Sequence, residues 1–168
     1  DEVYLEHMTA MMADAARGAA LATGTQVEIE TYGRLRDGIT TGSLEELVYA
    51  YAEVLQAPQL RAEPQRPAGY EETGFVSRDV PGVGVSVFSS PAAGHSYERF
   101  EDSLKPVGHQ GFLLDAKIMA AVLYHFLTDE RFRNTVQEEH SILSGLLDEY
   151  LGGLRTAYGA EVAAAAQP

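Results

Sequence analysis

The chain has 168 residues, of which 45% are hydrophobic and 22% charged, and this is the composition of an ordinary folded domain. Its 12 basic residues stand against 25 acidic ones, and the net charge of −13 disfavours nucleic acid and anionic membrane surfaces as partners. The absence of cysteine excludes disulfides, thiolate metal ligands and cysteine nucleophiles. Neither a signal peptide nor an uninterrupted membrane-spanning apolar run is visible, so we expect a cytoplasmic protein with no membrane partner.

The N-terminal part of the chain predicts a helix, a strand and a second helix. Apolar and small residues recur every three or four positions up to Gly24, where a helix-terminating glycine is expected. Residues 26–32 alternate apolar and polar side chains, as in a strand with one solvated face. Ser43–Glu46 matches a capping box, in which the serine hydroxyl and the glutamate carboxylate satisfy the first N–H groups of a helix that runs to Gln56.

The rest of the chain predicts one more strand among several helices. Residues 83–88 alternate apolar and polar side chains and are assigned to a second strand. The remaining segments are assigned to loops at 57–69 and 89–96 and to helices at 97–104, 110–127 and 128–158. Two strands do not form a stable sheet among so many helices. We therefore expect part of a larger α/β unit, or strands that pair with another chain.

Among the five histidines, His95 is the best candidate for a metal ligand. It lies in a loop after the predicted strand 83–88, and loops at strand ends are where α/β sheets place ligands. An imidazole there can bind a metal through one nitrogen while an acceptor orients the other, although an ordinary loop side chain fits the same position. The other four are assigned to solvated helix faces (His7, His140), to the apolar core (His125) and to a helix start (His109).

Adjacent glutamates occur three times, and such a pair could supply a general base and a metal ligand. Glu45–Glu46 is explained by the predicted cap, and Glu138–Glu139 by a solvated helix face. Glu71–Glu72 lies at a boundary between a loop and a helix, and its role stays open. The sequence contains no His-x-Asp motif, no His-Glu-x-x-His motif and no glycine-rich phosphate loop, so these residues alone do not complete a hydrolytic site.

Several sequence blocks follow one another in a recognisable order over residues 4–140. They are Ala16–Glu30, Glu72–Ser77 with Val80–Gly82, Gly94–Ser96, and Val107–Gly111 with Leu114–Ala120. In this order they resemble the two-zinc aminoacylase and carboxypeptidase-G type metallopeptidases, and most closely the amidohydrolase branch that contains aminobenzoyl-glutamate hydrolase. Glu72 and Phe75 depart from this pattern, which has Asp and Asn at the two positions.

The resemblance implies an α/β fold in three parts. Residues 1–32 would be the last helix and strand of an α+β lid, or dimerisation, domain. Residues 33–160 would form the C-terminal part of the catalytic α/β domain, and residues 161–168 a disordered tail.

The resemblance also implies a partial site. His95 would be a metal ligand, Arg34 or Arg36 would pair with a substrate carboxylate, and Gly74 would contribute to substrate binding. The family's other metal ligands and its general base have no counterpart among these blocks. One imidazole does not hold a catalytic zinc, which needs about three protein ligands.

The implied function is that of the C-terminal portion of a metal-dependent amidohydrolase. The metal would be zinc, with manganese or cobalt as alternatives, and the substrate an N-acyl amino acid, aminobenzoyl-glutamate or a dipeptide-like small molecule. We expect the chain alone to be inactive and to require a missing N-terminal half. The alternative is a non-catalytic remnant or assembly subunit that binds an N-terminal half or a second copy. A homo-oligomer is expected under either reading.

Overall fold

The computed structural model describes residues 1–33, 35–58 and 74–165 of the chain. These residues form six helices: α1 (Glu2–Thr23), α2 (Gly42–Val54), α3 (Gly74–Ser77), α4 (Tyr97–Ser103), α5 (Pro106–Thr128) and α6 (Glu130–Ala165). Within these ranges there is no strand and no sheet. The predicted α/β fold, with a lid-domain strand and a catalytic sheet, is therefore wrong.

The hydrophobic core lies where α2, α5 and α6 pack against one another. It consists of buried aliphatic side chains from all three helices: Leu44, Val48, Ala52, Ile118, Val122 and Val136. These residues recur at helical spacing on their own helices, so each helix turns one apolar stripe toward the other two. α4 packs on α5, and α1 packs on α6.

The two predicted strands are segments without regular secondary structure. In residues 83–88 the alternation is preserved, because Val83, Val85 and Val87 pack against the core while Gly84 and Ser86 are exposed. Residues 26–32 are exposed throughout. Neither segment forms a backbone hydrogen bond with the described part of the chain. Alternation determines which side chains are buried, but a strand also needs a second backbone beside it.

The helices are largely where the sequence predicts them. α1 ends at Gly24, which adopts the left-handed conformation with φ of 66°. α5 begins at Pro106, four residues before its predicted start, because proline fits the first helical turn, where its missing N–H is no loss. α6 is continuous to Ala165 and extends beyond its predicted end at residue 158. It overlaps the expected tail at 161–168, and residues 166–168 lie outside the described ranges.

Charged groups hold the N-terminus of α1 in place. Glu2 is buried, and its carboxylate oxygens lie 3.5 Å from the Arg78 guanidinium and 3.1 Å from that of Arg155. The backbone N–H of Glu2 donates to the Asp37 carboxylate, and the N–H of Asp37 donates to the Glu2 carboxylate. Arg78 also pairs with Asp148 at 2.6 Å. These contacts connect α1, the segment before α2, the end of α3, and α6.

Candidate functional site

His95 lies in an exposed turn directly before α4. Its exposure in a loop confirms the prediction, although no strand precedes it. Its φ of 58° is left-handed, which is uncommon for a residue with a side chain. Within the described ranges its imidazole has no hydrogen bond, ion pair or ring contact. The imidazole is therefore free to bind a ligand, but it has no neighbouring ligand group among these residues.

Of the three predicted substrate-binding residues, Arg36 and Gly74 lie in contact, and Arg34 lies outside the described residues. The backbone carbonyl of Arg36 lies against Gly74, and it leaves no room for a Cβ atom at that position. The partly buried Arg36 side chain forms no ion pair with any described residue. Arg34 is outside the described ranges, as is the Glu71–Glu72 pair. The structure therefore shows a close backbone approach at Gly74 rather than a substrate pocket.

His125 joins two polar side chains near the end of α5. Its Nδ1 atom lies 3.1 Å from the Tyr51 hydroxyl, and its Nε2 atom lies 3.5 Å from the Asp129 carboxylate. The ring also meets Phe132 edge-on at 5.0 Å between centroids. His125 is on the helix as predicted, but its side chain is 32% exposed rather than buried. The three polar groups border an open cavity of about 370 Å³.

The surroundings of Asp129 favour the ionised form of its carboxylate. The Phe132 N–H, which donates to its carboxylate at 2.9 Å, and the neighbouring His125 hold the pKa of Asp129 below its ordinary value. The same carboxylate caps the first turn of α6, where the helix dipole favours a negative charge. Through these contacts Tyr51, His125 and Asp129 join α2 to the junction between α5 and α6.

The predicted solvated face of α6 at residues 138–140 is partly buried. The Glu139 carboxylate accepts hydrogen bonds from the backbone N–H groups of Gly42 at 2.9 Å and Ser43 at 3.0 Å. The Ser43 hydroxyl and these two N–H groups hold the pKa of Glu139 below its ordinary value. His140 is buried, and its Nε2 atom lies 2.8 Å from the carbonyl of Ser77.

The start of α2 therefore differs from the predicted capping box. The N-cap residue is Thr41, and its side chain does not cap the helix. A glutamate from α6, almost a hundred positions away in sequence, binds the N–H of Ser43, which the Glu46 carboxylate was expected to bind, and also the N–H of Gly42. For the N–H of Ser43, the distant carboxylate takes the place of the local motif.

The largest unexplained feature of the structure is the solvent-facing side of α5, here called the outer face. Its apolar side chains are between 55% and 70% exposed: Phe112, Leu113, Met119, Leu123, Tyr124 and Leu127. Ala116 and Ala120 are exposed between them. On the opposite side, Ile118 is 1% exposed and Val122 is 9% exposed. α5 is thus apolar on all sides, which is typical of a helix that is covered on all sides.

The outer face has a regular spacing, with a basic residue beside its middle and an acidic residue beyond its C-terminal end. Leu113, Ala116, Ala120, Leu123 and Leu127 alternate steps of three and four residues, which is the seam of a helix that packs lengthwise against another helix. Lys117 flanks the seam beside a cavity of about 430 Å³ that Leu113 also lines. Glu130 borders the other cavity, at the far end of α5. Neither charge has an ion-pair partner in the described part of the chain.

α5 is also long and apolar enough to cross a membrane, by length and composition only. A core helix of a soluble protein passes the same test, and Lys117 lies at the midpoint of Pro106–Thr128. A charge at the centre of a spanning helix costs about 3 kcal/mol, so a covering of polypeptide fits this helix better than lipid.

The outer face is therefore a candidate interaction surface that the sequence did not lead us to expect. The signal was present in the sequence, because residues 110–127 contain apolar side chains on more than one helical face. Among the described residues no group of three His, Asp or Glu side chains is placed to hold a metal, so this part of the chain does not fit a zinc site by itself. No protein-family model matches the sequence, and no curated protein matches it.

Proposed function

We propose that this chain is an assembly component, whose function is to bind further polypeptide through the outer face of α5. The observation that carries the proposal is the exposure of six large apolar side chains on one side of one helix. Single exposed apolar residues are normal on a soluble protein, whereas a contiguous patch of this kind marks an interaction surface. This proposal corresponds to the assembly alternative of the sequence analysis.

The charge distribution of the chain supports the same function. Asp115 and Lys117 are the only acidic and basic residues of α5, so the helix has no net charge in a chain whose net charge is −13. Interface centres are depleted in charged groups and enriched in aromatic and methionine side chains, and the outer face presents Phe112, Met119 and Tyr124. Covering this face therefore removes apolar area from water and buries few charges.

The test of this function uses a dye that binds exposed apolar clusters, anilinonaphthalene sulfonate. The dilute chain should bind the dye, and binding should fall when Leu123 and Leu127 are both replaced by Gln. Leu21, 85% exposed on α1, offers a matched control, since Leu21→Gln removes an exposed leucine outside the outer face. A dilute chain that unfolds cooperatively and binds no dye would show that α5 needs no cover.

We propose a second function, amide hydrolysis by a metal-dependent amidohydrolase, only for an assembly in which other polypeptide supplies the remaining ligands. The resemblance of the sequence blocks and the exposed, unpartnered imidazole of His95 support it. Arg36 is the described candidate for a substrate carboxylate. The 168-residue chain alone should not hydrolyse N-acyl amino acids. Turnover by the purified chain, abolished by a chelator and by His95→Ala, would overturn the view that it lacks most of the site.

A further inference from the structure

We propose that the polypeptide covering the outer face is a second copy of this chain, whose α5 packs antiparallel against the first. The proposal rests on the assembly function above and names the partner. It starts from the spacing of the seam, Leu113, Ala116, Ala120, Leu123 and Leu127, which fits a helix packed lengthwise at a shallow angle. A second α5 supplies a helix with the same spacing.

A two-fold axis makes this seam complementary to itself. When the axis passes between residues 121 and 122, Ala120 faces Leu123 of the second copy, and Ala116 faces its Leu127. Each contact occurs twice, because the surface in a two-fold dimer is the same on both copies. In these four contacts a small residue lies opposite a large one, which lets the two helices approach closely. All four side chains are exposed in the single chain and are free to make these contacts.

The charges beside the outer face match under the same axis. Lys117 and the Asp129–Glu130 pair are separated by roughly 18 Å along α5, from the rise of an α-helix. Antiparallel packing places Lys117 of each copy about one turn from the acidic pair of the other, within reach of the flexible lysine side chain. Lys117 and Glu130 have no ion-pair partner in the described part of a single chain. The dimer would thus pair both charges twice.

Electrostatics also favours α5 over the other long helices as the contact between two copies. α1, α2 and α6 each contain more acidic than basic residues, whereas α5 contains one of each. Two chains that each have a net charge of −13 repel one another, so contact is least costly where the local charge is zero. A parallel arrangement would place Lys117 beside Lys117 and would lose both ion pairs.

Light scattering on the eluted 168-residue chain tests the proposal, together with three charge variants of the outer face and one control variant. The chain should elute with twice its mass of 18.2 kDa. Lys117→Glu and Glu130→Lys should each weaken the dimer by about tenfold, because each replaces two ion pairs by two repulsive contacts. The double variant should regain the original affinity, since the swapped charges again face each other. Arg17→Glu changes the net charge as Lys117→Glu does, but lies on α1, outside the outer face, and should leave the dimer intact.

Four results would overturn the proposal that a second copy covers the outer face. One is a dimer that the single charge variants do not weaken, and another is a dimer that the double variant does not restore. A monomer at every concentration is the third, and binding of the monomer to phosphatidylcholine vesicles, lost on Leu123→Gln, is the fourth. A monomer that still binds anilinonaphthalene sulfonate through the outer face leaves the assembly function standing. A monomer that unfolds cooperatively without binding dye contradicts both.

Discussion

The inner and outer faces of α5 have nearly the same chemistry and opposite surroundings. On the inner face Ile118 and Val122 pack against α2 and α6, whereas on the outer face Leu123 and Leu127 are 58% and 63% exposed. Both sets recur at helical spacing, so periodicity alone does not say which one is covered. A helix that is apolar on all sides needs a covering layer on each side, and the described chain supplies one of the two.

Truncating one aliphatic side chain on each face of α5 tests whether the two faces differ. Ile118→Ala should lower the free energy of unfolding by about 3 kcal/mol, because it leaves a cavity among α2, α5 and α6. This loss should be the same at every protein concentration. Leu123→Ala is the matched control on the same helix, and its effect should act through association and vary with protein concentration. Urea unfolding over a concentration series separates the two, and equal, concentration-independent losses would mean that the faces do not differ.

A smaller effect is expected at α1, which is held in place by charged contacts rather than by a large buried apolar area. Glu2→Gln should lower the free energy of unfolding by about 2 kcal/mol, because the Arg78 guanidinium, with its side chain only 10% exposed, loses a charged partner. Glu6→Gln, on the exposed side of the same helix, is the control and should have little effect. Limited proteolysis within α1 should rise for the first variant only. Similar unfolding curves for the two variants would show that the Glu2 contacts do not hold α1.

The smallest effect concerns the cap that α6 provides for α2. Glu139→Gln should cost about 1 kcal/mol, because a neutral amide replaces the carboxylate at the helix start. Since the folded-state pKa of Glu139 is lowered, its contribution is complete above the ordinary glutamate pKa and is lost as the pH falls through the lowered value. Unfolding as a function of pH should therefore show a smaller acid-side loss in the variant. Glu138→Gln, on the exposed neighbour, should keep the full pH dependence, and a reduction there too would contradict this assignment.

Much of the helical architecture could be predicted from the sequence, because local signals specify it. The periodicity that ends at Gly24 and the apolar run at 110–127 predict the positions of α1 and α5, and the alternating valines at 83–88 point inward as predicted. The predicted strands failed because pairing depends on a second backbone, which no local pattern contains. The capping box failed because Glu139, far away in sequence, binds the N–H of Ser43 that Glu46 was expected to bind.

The candidate site was predictable only in part. The exposure of His95 follows from its glycine- and proline-rich surroundings, which favour a loop. The burial of His140 could not be read from its acidic neighbours, because it depends on a carbonyl at Ser77. The outer face was not predicted, because α5 was expected to have a single buried face to which its apolar residues belong. Apolar residues occur around the whole of α5, and packing of one face against the core does not account for them.

Thiol labelling tests directly whether polypeptide covers the outer face of α5. The chain has no cysteine, so Leu123→Cys introduces a single reactive thiol, and Leu21→Cys on exposed α1 provides the reference. We predict that maleimide labels both positions at similar rates in dilute chain, and that labelling at 123 alone slows by about tenfold or more as association proceeds. Equal labelling rates at both positions over the whole concentration range would contradict the account.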